Sequence, residues 1–110
     1  MKKDKKYLEN MFAWQIRVLG KLPLMESQYQ FNPDRRWRAD FAFVEEKILV
    51  EIEGGIWING GHNRGARMIE DMNRQNWAVL HGWRCFRFAD KHVKSGEAIT
   101  IVESALNQKS

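Results

Sequence analysis

The chain has 110 residues, 44% of them hydrophobic, and carries a formal net charge of +4. That length supports one domain with its own core, and the single cysteine, Cys85, excludes both an internal disulfide framework and a multi-cysteine zinc site. No apolar run approaches the roughly 20 residues that cross a bilayer, and the basic start (Lys2, Lys3, Lys5, Lys6) leads into no continuous apolar stretch. Neither a membrane span nor a signal peptide is expected, which makes a cytoplasmic location the default.

Taken in order, Lys5–Leu19 places Tyr7, Leu8, Met11, Phe12, Gln15, Val18 and Leu19 along one helical stripe, with Gly20 as a stop. Ser27–Phe31 reads as an extended edge strand, and Asn32-Pro33-Asp34 is turn chemistry. Two strands follow, Trp37–Phe43 and Ile48–Glu53, joined around Glu45-Glu46-Lys47. In the first, Trp37, Ala39, Phe41 and Phe43 share one face while Arg38 and Asp40 take the other. In the second, Ile48, Val50 and Ile52 alternate with Leu49, Glu51 and Glu53.

Gly54–Asn63 is a loop rich in glycine and asparagine that carries Trp57 and His62. The pattern then predicts a helix from Arg64 to His81, buried along Gly65, Met68, Ile69, Met72, Val79 and Leu80, with Gly82 as its left-handed cap. Trp83–Phe88 reads as a strand. Asp90 or Ser95 caps a last helix whose stripe is Ala98, Ile99, Val102, Ala105 and Leu106. The order α-β-β-β-α-β(-α) predicts a single-domain α/β fold with a mixed four-stranded sheet. Its first three strands form an antiparallel meander, and the crossover through the long helix makes the fourth parallel to the third.

On this layout a hairpin brings Asp40 beside the face that carries Glu51 and Glu53. Acidic side chains gathered at the end of a small sheet are costly unless a cation neutralises them, so a divalent-metal site is expected. Arg35, Arg36 and Arg38 precede the acidic strand, and Arg64, Arg67 and Arg74 follow it. Positive charge that brackets carboxylates suits a phosphate-bearing partner; a solvated charged surface is the plain alternative for any one arginine. Cys85 lies in an apolar run and reads as a structural thiol.

These residues resemble the PD-(D/E)XK nuclease superfamily, and within it the very-short-patch-repair (Vsr-like) branch. The carrying segments are Arg36-Trp37-Arg38-Ala39-Asp40-Phe41 and Val50-Glu51-Ile52-Glu53-Gly54-Gly55-Ile56-Trp57, followed by His62-Asn63-Arg64-Gly65 and Gly82-Trp83-Arg84. The resemblance implies a restriction-endonuclease-like fold and a metal-dependent endodeoxyribonuclease that acts on DNA with Mg²⁺, or alternatively Mn²⁺. It implies Asp40 and Glu51 as metal ligands, with the Ile52 carbonyl as a third. Magnesium's preference for a few carboxylates, oxygen donors and retained water agrees with that set.

One position departs from the superfamily's pattern. Its signature lysine, two residues after the second acid, is Glu53 here. Glu53 can hold a second metal or orient water but cannot give positive charge to a transition state, which leaves that task to Arg74 or His62. His62 is a candidate for proton transfer or phosphate contact, against a plain exposed loop histidine. Arg36, Arg38, Arg64 and Arg67 are candidate DNA contacts. Trp57 either stacks on a base or plugs the core edge. The alternative function is a catalytically inactive nucleic-acid-binding module of the same fold. Because so small a domain covers few base pairs, specificity calls for a homodimer or a partner protein.

Overall fold

A computed structural model describes residues 2–19, 22–54 and 64–108. In chain order these form α1 (Lys2–Leu19), β1 (Glu26–Gln30), β2 (Arg38–Phe43), β3 (Ile48–Glu53), α2 (Arg64–Leu80), β4 (Arg84–Ala89), α3 (Asp90–Ser95) and α4 (Glu97–Asn107). The strands make one sheet in the order β1-β2-β3-β4. The β1–β2 and β2–β3 pairs are antiparallel and β3–β4 is parallel, as the element order predicts. None of the described helices is long and apolar enough to cross a membrane.

Alternation along β3 sorts side chains to two layers. Ile48, Val50 and Ile52 join Phe41, Phe43 and Phe88 in a core covered by Leu8, Phe12 and Ile16 of α1, Val93 of α3 and Ala98, Val102 and Ala105 of α4. Leu49 points to the opposite face, where Phe31, Ala42, Ala78 and Trp83 form a smaller cluster beneath α2. The aliphatic positions expected for the last helix are borne out, but the segment is two helices. Gly96, at φ 87°, breaks it between α3 and α4.

Turn chemistry agrees with the sequence. The Asp34 N–H donates to Asn32 Oδ1 at 2.7 Å, and Asn32 is buried by that turn. At the end of α2, Gly82 adopts φ 89°. Its N–H donates to the Val79 carbonyl at 3.1 Å, and the Trp83 N–H donates to the Ala78 carbonyl at 2.9 Å. This pair of bonds is a Schellman motif, which satisfies carbonyls that the helix end leaves free.

The expected face of α1 is borne out in part and that of α2 is not. On α1, Leu8, Met11 and Phe12 of the expected stripe pack into the core with Ile16, while Tyr7 and Val18 lie 58% and 61% exposed. Lys5 and Glu9 share that inward row, and both are drawn to Asp40's end of the sheet. On α2 the correction is larger: Met68, Ile69, Met72, Val79 and Leu80 are all exposed, Leu80 by 80%. The row that meets the sheet is Asp71, Arg74 and Ala78, because Asp71 and Arg74 are held there by charged partners on β3 and β4. The inward face of this helix combines ion pairs from Asp71 and Arg74 with apolar packing of Ala78 and Trp77.

The Gly82 geometry makes a simple prediction. A side chain there meets only Lys47 Cε at 3.8 Å, so Gly82→Ala costs backbone strain alone. Its destabilisation should be about 1 kcal/mol, read as a lower urea midpoint with an unchanged slope.

Candidate functional site

The site is built where two strands part. The β2–β3 ladder runs from Phe43↔Ile48 to Phe41↔Val50. Beyond it, the Ile52 N–H donates to Asp40 Oδ2 at 2.7 Å. A side chain thus takes over from the backbone ladder at this point. It also changes the facing of β2: Ala39 packs with the Ala42 and Leu49 cluster, not with Phe41. The strict alternation expected from Trp37 to Phe43 therefore breaks around Asp40.

Asp40 is 7% exposed, and an unpaired carboxylate at that depth is costly. Its counter-charge comes from α1. Lys5 Nζ donates to Asp40 Oδ2 at 2.7 Å, to the Ile52 carbonyl at 2.8 Å and to Glu9 Oε2 at 2.9 Å. Burial works to lower the pKa of this ammonium, but its bonds to Asp40 and Glu9 outweigh that and hold it above the usual lysine range. Lys5 and Glu9 were not expected at the site. The available signal was their i, i+4 spacing on the row that continues through Phe12 and Ile16, a charged pair placed on a buried face.

The second half of the site faces α2. Arg74 donates to Glu51 Oε2 at 2.7 Å, to the Arg38 carbonyl at 2.7 Å and to Asp71 Oδ1 at 3.1 Å. Arg87 of β4 lies opposite Glu51 in the parallel register; it donates to Glu53 Oε2 at 2.7 Å and pairs with Asp71 Oδ2 at 2.6 Å. Glu51, Arg74, Asp71, Arg87 and Glu53 thus form one continuous chain of alternating charge. Asp71 and Arg74, three positions apart on α2, both belong to this chain.

The expected trio of carboxylates is divided. Glu51 and Glu53 share a face, but Asp40 bonds to α1 and β3 and is linked to neither glutamate by a hydrogen bond in the structure. Among the described residues, no three His, Cys, Asp or Glu side chains are grouped to hold one ion. Asp40 and Glu51 still sense each other. Burial pushes the Glu51 carboxyl up to about 6, with the Asp40 charge adding to the rise and Arg74 opposing it. Arg36, Arg38 and Arg67 are exposed. Trp57 and His62 lie outside the described residues, as does the Arg64 side chain. Burial raises the pKa of the half-buried Cys85 thiol, in keeping with a structural role.

Asp40 Oδ2 and the Ile52 carbonyl converge on one cationic atom, the Lys5 ammonium, while Glu51 faces Arg74. A carboxylate and a carbonyl with water are donors of the kind magnesium favours. No protein-family model, curated protein or solved structure matches the chain, and the functional reading rests on these residues.

The raised Glu51 pKa carries a stability signature in metal-free protein. The folded state binds this proton more tightly than the unfolded chain, so its contribution is complete below about pH 4.5 and is lost as pH rises through about 6. Between those limits wild type should lose about 2 kcal/mol relative to Glu51→Gln. Urea unfolding of both proteins in chelator across this range checks the difference.

Proposed function

We propose that this chain is a metal-dependent endonuclease that hydrolyses DNA phosphodiester bonds. The observation that carries the reading is the convergence of Asp40 Oδ2 and the Ile52 carbonyl on one cation position, with Glu51 next along the same strand. Asp40, Glu51 and the Ile52 carbonyl would hold Mg²⁺ or Mn²⁺. When bound, the ion supplies a more acidic water and Lewis-acid contact to a phosphoryl oxygen.

The chain's own residues supply the rest. Ile52 N–H fixes the Asp40 carboxylate by a 2.7 Å bond, so Asp40 meets its ligand without a search over rotamers. Arg74 holds Glu51 in place, and its guanidinium beside that carboxylate would offset phosphate charge. Glu53 is tied to Arg87 and acts in this reading as a positioning acid. His62 is the proposed proton-transfer group, and Arg36, Arg38, Arg64, Arg67 and Trp57 the proposed DNA contacts. The net charge of +4 favours such a polyanionic partner. Sequence specificity in so small a protein is assigned to a homodimer or a partner.

Asp40→Asn keeps an acceptor for the Ile52 N–H while removing the charge. It should reduce Mg²⁺- or Mn²⁺-dependent nicking of plasmid DNA by at least about 100-fold with an unchanged circular-dichroism spectrum. Cleavage at the wild-type rate by this variant would sink the assignment.

A second reading has its own observation. Lys5, Arg74 and Arg87 already pair with Asp40, Glu51 and Glu53, which favours an inactive nucleic-acid-binding module. Plasmid, linear and branched DNA incubated with each metal separates the two, since binding without cleavage under every condition supports the module. An RNA arm in the same assay identifies an RNA substrate by cleavage of RNA alone.

A further inference from the structure

We propose that Lys5 and the divalent ion are alternative occupants of a single cation position, so that metal enters only by displacing the lysine. This inference rests on the metal reading above and concerns what that site contains before the ion arrives.

An ammonium group has three N–H donors. All three are used by Lys5, on Asp40 Oδ2 at 2.7 Å, the Ile52 carbonyl at 2.8 Å and Glu9 Oε2 at 2.9 Å. The first two acceptors are the oxygens that the metal would take. A magnesium ion held by both would take the place that Nζ now occupies between them. Two cations cannot share that point, because neither steric room nor charge permits it.

The fold seats the backbone of Lys5 and leaves its head able to move. Gly54, just after β3, lies against the first turns of α1, and a Cβ there would come within 3.1 Å of Lys5 N, Cα and Cβ. The missing side chain is what lets the helix approach so closely. The Lys5 side chain is 43% exposed while its partners Asp40 and Glu9 are each 9% exposed. Its four-carbon stem can therefore swing the ammonium into solvent without lifting the helix, whereas the carboxylates stay where they are.

Exchange on these terms explains how a buried acid site remains folded without metal. It also makes metal affinity the difference between two competing cations, with the lysine setting the threshold. Lys5 is thus a positioning and gating residue: it holds Asp40 and the Ile52 carbonyl in the arrangement that the ion inherits.

The test is Mn²⁺ titration by calorimetry and by electron paramagnetic resonance of free Mn²⁺, together with thermal unfolding in chelator and in Mn²⁺. Lys5→Met and Lys5→Gln should bind Mn²⁺ at least ten-fold more tightly than wild type, melt lower in chelator, and gain more from Mn²⁺ than wild type gains. Gln retains a hydrogen-bonding amide and guards against a folding failure in the Met variant. Lys5→Arg keeps the charge and should bind no more tightly than wild type. Affinity in both neutral variants equal to or weaker than wild type overturns the proposal. In that event, Mn²⁺ binding by wild type and its loss in Asp40→Asn leave the metal reading standing alone. If neither wild type nor any Lys5 variant binds Mn²⁺, the metal reading falls and this inference falls with it.

Discussion

One carboxylate substitutes for a rung of the sheet. Where β2 and β3 separate, Asp40 accepts the Ile52 N–H at 2.7 Å, and burial of that charge forces the next requirement. A side chain 7% exposed must be paired, since an isolated buried charge costs several kcal/mol. Lys5 meets this need from α1, and its pairing ties the first turns of that helix to the end of β3. The close approach at Gly54 is part of the same constraint. Strand divergence, helix docking and the candidate site are therefore one arrangement with one electrostatic cause.

The opposite face of the sheet is ordered by a comparable competition. The alternating chain from Glu51 through Arg74, Asp71 and Arg87 to Glu53 needs α2 rolled with its charged row inward. That roll leaves Met68, Ile69, Met72, Val79 and Leu80 exposed, while Ala78 and Trp77 of the same helix pack on Phe31, Leu49 and Trp83. Turning the helix over would separate Glu51 from Arg74 and uncover that cluster. It would also leave Arg87 and Glu53 without Asp71. The exposed members of the network, Arg87 and Glu53, contribute less than Glu51 and Arg74, because solvent screens them.

Seen as chemistry, the two halves differ in kind. Asp40 and the Ile52 carbonyl present two oxygens to the Lys5 ammonium. Glu51 is the hinge between the halves: it lies on the α2 face, yet its proton affinity rises partly because Asp40 is near. Under the proposed reading, the absent signature lysine at position 53 is less a loss than a relocation of charge, since Lys5, Arg74 and Arg87 all reach the site from other elements.

The strands were legible because their alternation is local: Ile48, Val50 and Ile52 against Leu49, Glu51 and Glu53 sort to the two faces as the sequence implies. Gly82 as a left-handed cap and Asn32 as a turn former were equally readable, since each acts on its own backbone. The apolar stripe of α2 was legible as a stripe, but its direction was not. Periodicity specifies which residues share a helix face and is silent about what that face meets. Likewise nothing local at Lys5 or Glu9 announces Asp40, which lies 35 residues from Lys5. The sequence by itself determined the strands, the two long helices and their order. Only the tertiary structure decided which charges meet and which helix face turns inward, because both depend on long-range approach.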